Sequence, residues 1–136
     1  MKPRARVSAA VLGSPDPRRL AKFYERLLGW TKVTDEPALR GAPPEDGWVR
    51  LRPPAGGTGL SVQFEPEYVP PAWPAATGEQ QMTMHLDIAV DDLDDGVAWA
   101  LQAGAALADH QPQEQVRVML DPDGHPFCVF RDPGFD

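Results

Sequence analysis

The residues best suited to chemistry lie at alternate positions of one short run, His85 and Asp87 in Thr83 to Val90, TMHLDIAV. An imidazole beside a carboxylate can move a proton, orient a substrate or contribute to a metal site. Side chains alternate along extended backbone, so His85 and Asp87 share a face with Thr83 and Ala89, while Met84, Leu86, Ile88 and Val90 take the opposite, helix-packing face. The plainer account is that His85 and Asp87 bond each other or nearby backbone, as buried polar groups commonly do. On Trp48 to Arg52 the same alternation separates Trp48, Arg50 and Arg52 from Val49 and Leu51. Cys128 is the one cysteine. It reads as an ordinary small buried residue, because nothing near it in sequence lowers its pKa. A Cys128–His85 nucleophilic pair is formally available across neighbouring strands but lacks that activation. Trp48 and Trp73 read either as loop-packing anchors or as indole walls for a flat ligand. His110 and His125 sit near turns and receive no role. No nucleophile elbow, phosphate-cradling loop or paired-cysteine metal motif occurs, and Gly56-Gly57 fits a hairpin turn.

Composition narrows the classes. At 136 residues the chain suits one domain with a real core. Twenty acidic against thirteen basic residues give a net charge of -7, which argues against nucleic acid. Arg4, Arg6, Arg18, Arg19, Lys22 and Arg26 concentrate positive charge near the first helix, and the plain reading of the pattern is a solvated helix face. A single thiol permits no internal disulfide and favours a reducing, cytoplasmic location. The start, MKPRARVSAAVLGSPDP, superficially resembles a signal peptide, yet its apolar run is short and Pro15-Asp16-Pro17 ends it, so a first strand is expected. No window approaches the ~18 apolar residues of a membrane span, so no membrane role is expected.

The elements that must position these side chains can be taken in order. Arg6 to Gly13 reads as a buried strand, and Asp16 caps a helix that begins at Pro17, carries the stripe Leu20, Phe23, Tyr24, Leu27 and Leu28, and stops at Gly29. Trp30 to Thr34, Trp48 to Arg52 and Leu60 to Glu65 read as strands, the last two joined by PPAGGTG. Pro66, Pro70, Pro71 and Pro74 mark a linker over 66–82. Thr83 to Val90 is then a strand, and Asp92 caps a second helix with Leu93, Val97, Ala100, Leu101 and Gly104 on one side. Ala106 to Gln111, Val116 to Leu120 and Phe127 to Arg131 supply three more strands. The order β-α-β-β-β thus occurs twice, over about 5–66 and 83–133. An offset of 76 places Asp16 on Asp92, Phe23 on Trp99 and Ala9 on His85.

VLGSPDPRRLAKFYERLLGW, then HLDIAVDDLDDGVAWALQAGA and VRVMLDPDGHPFCVF, resemble the vicinal oxygen chelate superfamily, in particular its glyoxalase-like and bleomycin-resistance-type proteins. The Phe23-Tyr24 to Gly29 helix end, Asp121-Pro122-Asp123-Gly124 and the HPFC of His125 to Cys128 carry the likeness. It implies an α+β fold of two βαβββ modules curled into an eight-stranded cup, often as a homodimer. It also implies a cup lining of His85, Asp87, Ala9, Val11, Ser61, Gln63 and Cys128, joined by Trp48 and Arg50. In metal-dependent members four ligands come from matching strands. Those positions fall here on Ala9, Gln63, His85 and Cys128, with Ser61 replacing Gln63 if the last strands are paired two residues apart. That set is poor for a hard divalent ion.

These observations lead to an expected glyoxalase-like protein that uses no metal cofactor and binds a small apolar or aromatic molecule through His85, Asp87, Gln63, Trp48, Arg50 and Cys128. The alternative is a lyase, isomerase or other enzyme with an atypical metal site, or with His85 or Asp87 as general base. A third reading is a partner-regulating module that makes its contacts through the proline-rich linker.

Overall fold

The computed structural model describes residues 1–135, and these fall into two compact units that divide after Tyr68. The first unit contains β1 (Ala9–Ser14), α1 (Pro17–Leu28), β2 (Thr31–Glu36), β3 (Trp48–Arg52) and β4 (Gly59–Phe64). Its sheet has the order β1-β4-β3-β2, with β1 parallel to β4 and the other pairs antiparallel. The second unit contains β5 (Asp87–Val90), α2 (Leu93–Ala103), β6 (Ala106–Leu107), β7 (Val116–Leu120) and β8 (Pro126–Arg131), and its sheet order, β5-β8-β7-β6, is the same permutation. The fold is therefore α+β, built of two βαβββ modules.

Local chemistry explains both helices. The Asp16 carboxylate accepts from the Arg19 amide and Pro17 occupies the first turn, while Gly29, at φ 67°, closes α1 in a left-handed conformation. Leu20, Ala21, Phe23 and Tyr24 are buried on α1, and Val49, Leu51, Leu60 and Val62 are buried on the sheet facing it. Each such apolar side chain contributes about 1.5–3 kcal/mol when fully buried. The helix start is also tied to the loop beyond β2. Arg18 pairs with Asp35 at 3.0 Å and donates to the carbonyls of Glu36 and Asp46.

Alpha2 begins at Asp92, whose side chain accepts from the Asp95 amide, and ends at Gly104. The buried face is rotated from the expected stripe. Ala100 and Ala103 are buried, whereas Leu101 is exposed and Trp99, the counterpart of buried Phe23, is 51 % exposed. Gly96 is the cause: a Cβ built there would meet both Val90 methyls at 2.9 Å and Val129 Cγ1 at 3.1 Å. The helix thus lies against β5 and β8 through Gly96, Ala100 and Ala103, three small residues at helical spacing.

Three strands are shorter than expected, β1, β5 and β6, and for the last two the reason lies outside the strand itself. The second unit's first strand begins at Asp87 instead of Thr83, and Met84 is 84 % exposed. The Cys128 amide still donates to the Leu86 carbonyl, but Pro126, next in line on β8, has no N–H to continue the ladder. Beta6 stops at Leu107 instead of Gln111. The Gln111 side chain takes over, donating to the carbonyls of Ala108 and Val118 and accepting from the Val118 amide. Beta1 starts at Ala9, later than Arg6, and β2 runs on to Glu36 through an irregularity between Lys32 and Thr34.

The turn before β8 is held by one carboxylate. Asp121 accepts from the backbone amides of Asp123 and His125 and pairs with His125 Nδ1 at 2.8 Å. His125 thus has a structural role that its sequence context did not show. The 66–82 segment is hydrogen-bonded too: the Ala72 amide meets the Gln80 carbonyl, and Trp73 Nε1 donates to the His110 carbonyl. This makes Trp73 a packing anchor.

Gly96→Ala tests the close approach of α2. Helix propensity alone favours alanine by about 1 kcal/mol. The two valines beside it are stiff and set in strands, so overpacking, typically costing about 1–3 kcal/mol, is expected to win. A lower urea midpoint with unchanged m-value is the expected result.

Candidate functional site

In the second unit the parallel pairing of β5 with β8 sets Asp87 directly opposite Cys128. His85 lies two residues before Asp87, just outside the strand, and its Nε2 is 3.0 Å from Asp87 Oδ1. The thiol of Cys128 lies near the Asp87 carboxylate. One nitrogen, one carboxylate oxygen and one sulfur therefore lie within 4.8 Å of one another. Sequence alternation joined His85 to Asp87, and the ladder register adds Cys128.

The electrostatics of the cluster are one-sided. Burial pushes the Cys128 thiol above its ordinary value of 9.0, and the nearby Asp87 carboxylate pushes it further. Near neutral pH the thiol is a donor, not a nucleophile. Asp87 can then accept from His85 Nε2–H, a tautomer that leaves the His85 Nδ1 lone pair free to accept a proton or a ligand hydrogen bond.

In the first unit, Arg50 stands opposite Ser61 and Trp48 opposite Gln63. Val49, Leu51, Leu60 and Val62 face α1, so Trp48, Arg50, Ser61 and Gln63 share the sheet face without a helix. Trp48 and Arg50 are half-buried, Gln63 is exposed, and Arg50 Nη2 donates to Ser8 Oγ. The six predicted site residues thus form two groups, one in each unit.

Register also decides which residue of the first unit matches Cys128. Ser14 and Val90 each lie two residues before a helix cap, Asp16 or Asp92, and they pair with Phe64 and Arg131. The difference, 131 − 64 = 67, places Cys128 on Ser61 and not on Gln63. The four positions implied by the superfamily resemblance are then Ala9, Ser61, His85 and Cys128. An alanine and a serine in the first unit do not fit a hard, oxygen-preferring ion. His85, Asp87 and Cys128 do fit the donor preferences of a zinc-type ion, which would have to deprotonate the thiol.

The family model for the glyoxalase-like domain matches residues 9–130, and the chain belongs to that family. Among solved structures, a glyoxalase family protein from Enterococcus faecalis is similar with a TM-score of 0.65 and 17 % identity, covering 92 % of this chain and 96 % of that one. TnmS3, an antibiotic binding protein from Streptomyces sp. CB03234, gives a TM-score of 0.61 and 19 % identity over 96 % and 98 %. A glyoxalase/bleomycin resistance protein from Albidiferax ferrireducens T118 gives 0.60 and 18 % over 93 % and 98 %. At such identities these likenesses show the fold. No curated protein matches the sequence.

Alkylation of Cys128 by iodoacetamide measures its thiolate fraction. The rate is expected to rise with a midpoint above pH 9.0. In Asp87→Asn the carboxylate charge is gone, so the midpoint should fall and alkylation at fixed mildly alkaline pH should quicken. An unchanged profile would separate Asp87 from the thiol.

Proposed function

We propose that this protein binds a small apolar or aromatic molecule without a metal; the candidate polar contacts are His85, Asp87 and Cys128 within the second unit and, taken by itself, the Trp48, Arg50 and Gln63 group of the first. The observation that carries this reading is the state of the Asp87 cluster. Its carboxylate is already paired with His85 Nε2 at 3.0 Å, and Cys128, its thiol pKa raised by burial and the Asp87 charge, is in its neutral form a poor metal ligand but an adequate polar contact. TnmS3, similar in fold, is an antibiotic binding protein, which supports a binding role on this scaffold. No helix of the described residues is long and apolar enough to cross a membrane. The acidic net charge of -7 disfavours nucleic acid. A cytoplasmic homodimer belongs to the same proposal, resting on the single thiol and the family resemblance, and sedimentation equilibrium tests the dimer.

A second reading, an enzyme, is favoured by one specific observation, the approach of three donor atoms within 4.8 Å. A zinc-type ion held by His85, Asp87 and Cys128 would supply Lewis acidity. Without it, His85 Nδ1 is the natural general base, oriented through Nε2 by Asp87.

Metal content and ligand-induced stabilisation decide between the two. Protein purified without chelators is expected to carry far less than one equivalent of zinc. Stoichiometric metal that disappears in His85→Ala would overturn the metal-free reading. In a thermal-shift screen of aromatic antibiotics and short-chain carbonyl compounds, a binder held at 100-fold above its Kd adds about 2.7 kcal/mol to stability and so raises the Tm. His85→Ala and Asp87→Ala are expected to weaken that binder, and unchanged affinity in both removes them from the site.

A further inference from the structure

The first unit contains polar groups whose needs its own chain does not meet. Thr34, Arg50, Ser61 and Val11 form one continuous row across the sheet, on the face away from α1. Ser61 is only 1 % exposed, yet its Oγ has no hydrogen-bond partner among the described residues, and neither has the buried Nε of Arg50. The guanidinium spends one donor on Ser8 Oγ and makes no ion pair among the described residues. Arg50 and Ser61 are directly opposite on neighbouring strands, their Cβ atoms about 5 Å apart, so the two orphaned groups belong to neighbouring side chains of one face.

Leaving them unmet is costly. A buried unsatisfied polar group costs about 1–3 kcal/mol, and more when it is charged. An acceptor that fits between a guanidinium edge and a hydroxyl would recover that energy. The row itself offers no carboxylate.

The surroundings point to the sign of the missing group. Ser8, the residue that Arg50 holds, also lines a cleft of about 300 Å³ with Arg6, Arg52 and Thr58. That volume is at the lower end of small-molecule sites, about 300–1,000 Å³. Arg52 stands two residues along β3 and so shares the face of Arg50. Arg6 and Arg52 line the cleft and Arg50 holds its Ser8, so in a chain of net charge -7 this corner carries positive charge that the protein as a whole lacks.

We infer that Arg50 and Ser61 form a carboxylate subsite: the ligand's carboxylate oxygens accept from Arg50 Nε–H and the Ser61 hydroxyl, with Arg6 and Arg52 attracting it through the cleft. The planar, two-oxygen shape of a carboxylate suits the edge of a guanidinium better than a tetrahedral anion does when one Nη is already engaged. The subsite rests on the ligand-binding reading above and specifies the class, small organic carboxylates.

Nitrogen-15 NMR titration tests it, because Arg50 Nε–H and the Ser61 amide report on the first unit while the His85 and Asp87 amides report on the second. The probes are benzoate, benzamide and inorganic phosphate. Benzoate is expected to shift Arg50 Nε–H and Ser61 saturably, and benzamide, the same ring without the charge, to bind at least ~10-fold more weakly. Arg50→Gln should weaken benzoate by a similar ~10-fold. Ser61→Ala provides the second variant. It is expected to weaken benzoate severalfold while keeping or raising the Tm, because it removes an orphaned hydroxyl. A silent Arg50 Nε–H, equal binding of benzamide, stronger binding of phosphate, or benzoate affinity unchanged in both variants overturns the carboxylate subsite. If compounds from the thermal-shift screen still shift His85 and Asp87 in that event, the ligand-binding reading survives without it.

Discussion

Parallel pairing of the first and last strands within each module is the constraint on which the sites depend. A parallel pair needs a crossover, here made by the helix that follows the first strand, so the register of β1 on β4 and of β5 on β8 is anchored by the helix start. Asp16 and Asp92 fix that start two residues after the strand end, which puts Val11 opposite Ser61 and Asp87 opposite Cys128. A slip of one residue would turn Cys128 toward α2 and bring Phe127 or Val129, both needed in the core, to the open face. Burial of apolar residues on the helix side therefore selects the polar neighbours on the other.

Much of this was legible in the chain because helix boundaries are written locally. Asp16-Pro17 and Gly29, or Asp92 and Gly104, satisfy orphaned end groups within a few residues of themselves. What could not be read depends on partners distant in sequence. The missing amide of Pro126 shortens β5 some forty residues upstream, and the amide of Gln111 imitates a ladder partner for Val118, ending β6 early. The burial of Leu101 was misjudged because hydrophobicity predicts a wide stripe, whereas Gly96 lets the helix sink onto Val90 and Val129 through its smallest side chains. The choice between Gln63 and Ser61 was invisible for another reason. The two candidates lie two residues apart on one strand, so alternation puts both on the same face, and only the ladder tells them apart.

In the second unit, chemistry turns on a single proton. Burial and the Asp87 charge both favour the neutral thiol of Cys128. A metal reverses this logic, since a divalent ion stabilises the thiolate far more than a nearby carboxylate opposes it. The same three side chains thus support a metal-free cluster or a zinc-type donor set, depending on whether the ion's binding energy exceeds the cost of removing that proton and breaking the His85–Asp87 contact.

The two modules share a backbone plan but not its side-chain accounting. At matching ladder positions the second unit has Asp87, Cys128 and Val118, while the first has Val11, Ser61 and Arg50. The acidic group of the second unit finds a partner within the unit, His85 Nε2 at 3.0 Å, with the Cys128 thiol close by. In the first unit, Arg50 Nε and Ser61 Oγ are buried without a hydrogen-bond partner among the described residues, while Arg50 Nη2 donates to Ser8 Oγ. A core that needed only stability would be better served there by apolar side chains, because exchanging both partners of a buried polar pair for apolar groups of similar shape is close to neutral while leaving donors unmet is not. Two unmet donors at adjacent ladder positions are therefore better explained by a group from outside the chain than by the fold, and the positive charge around them makes that group an anion.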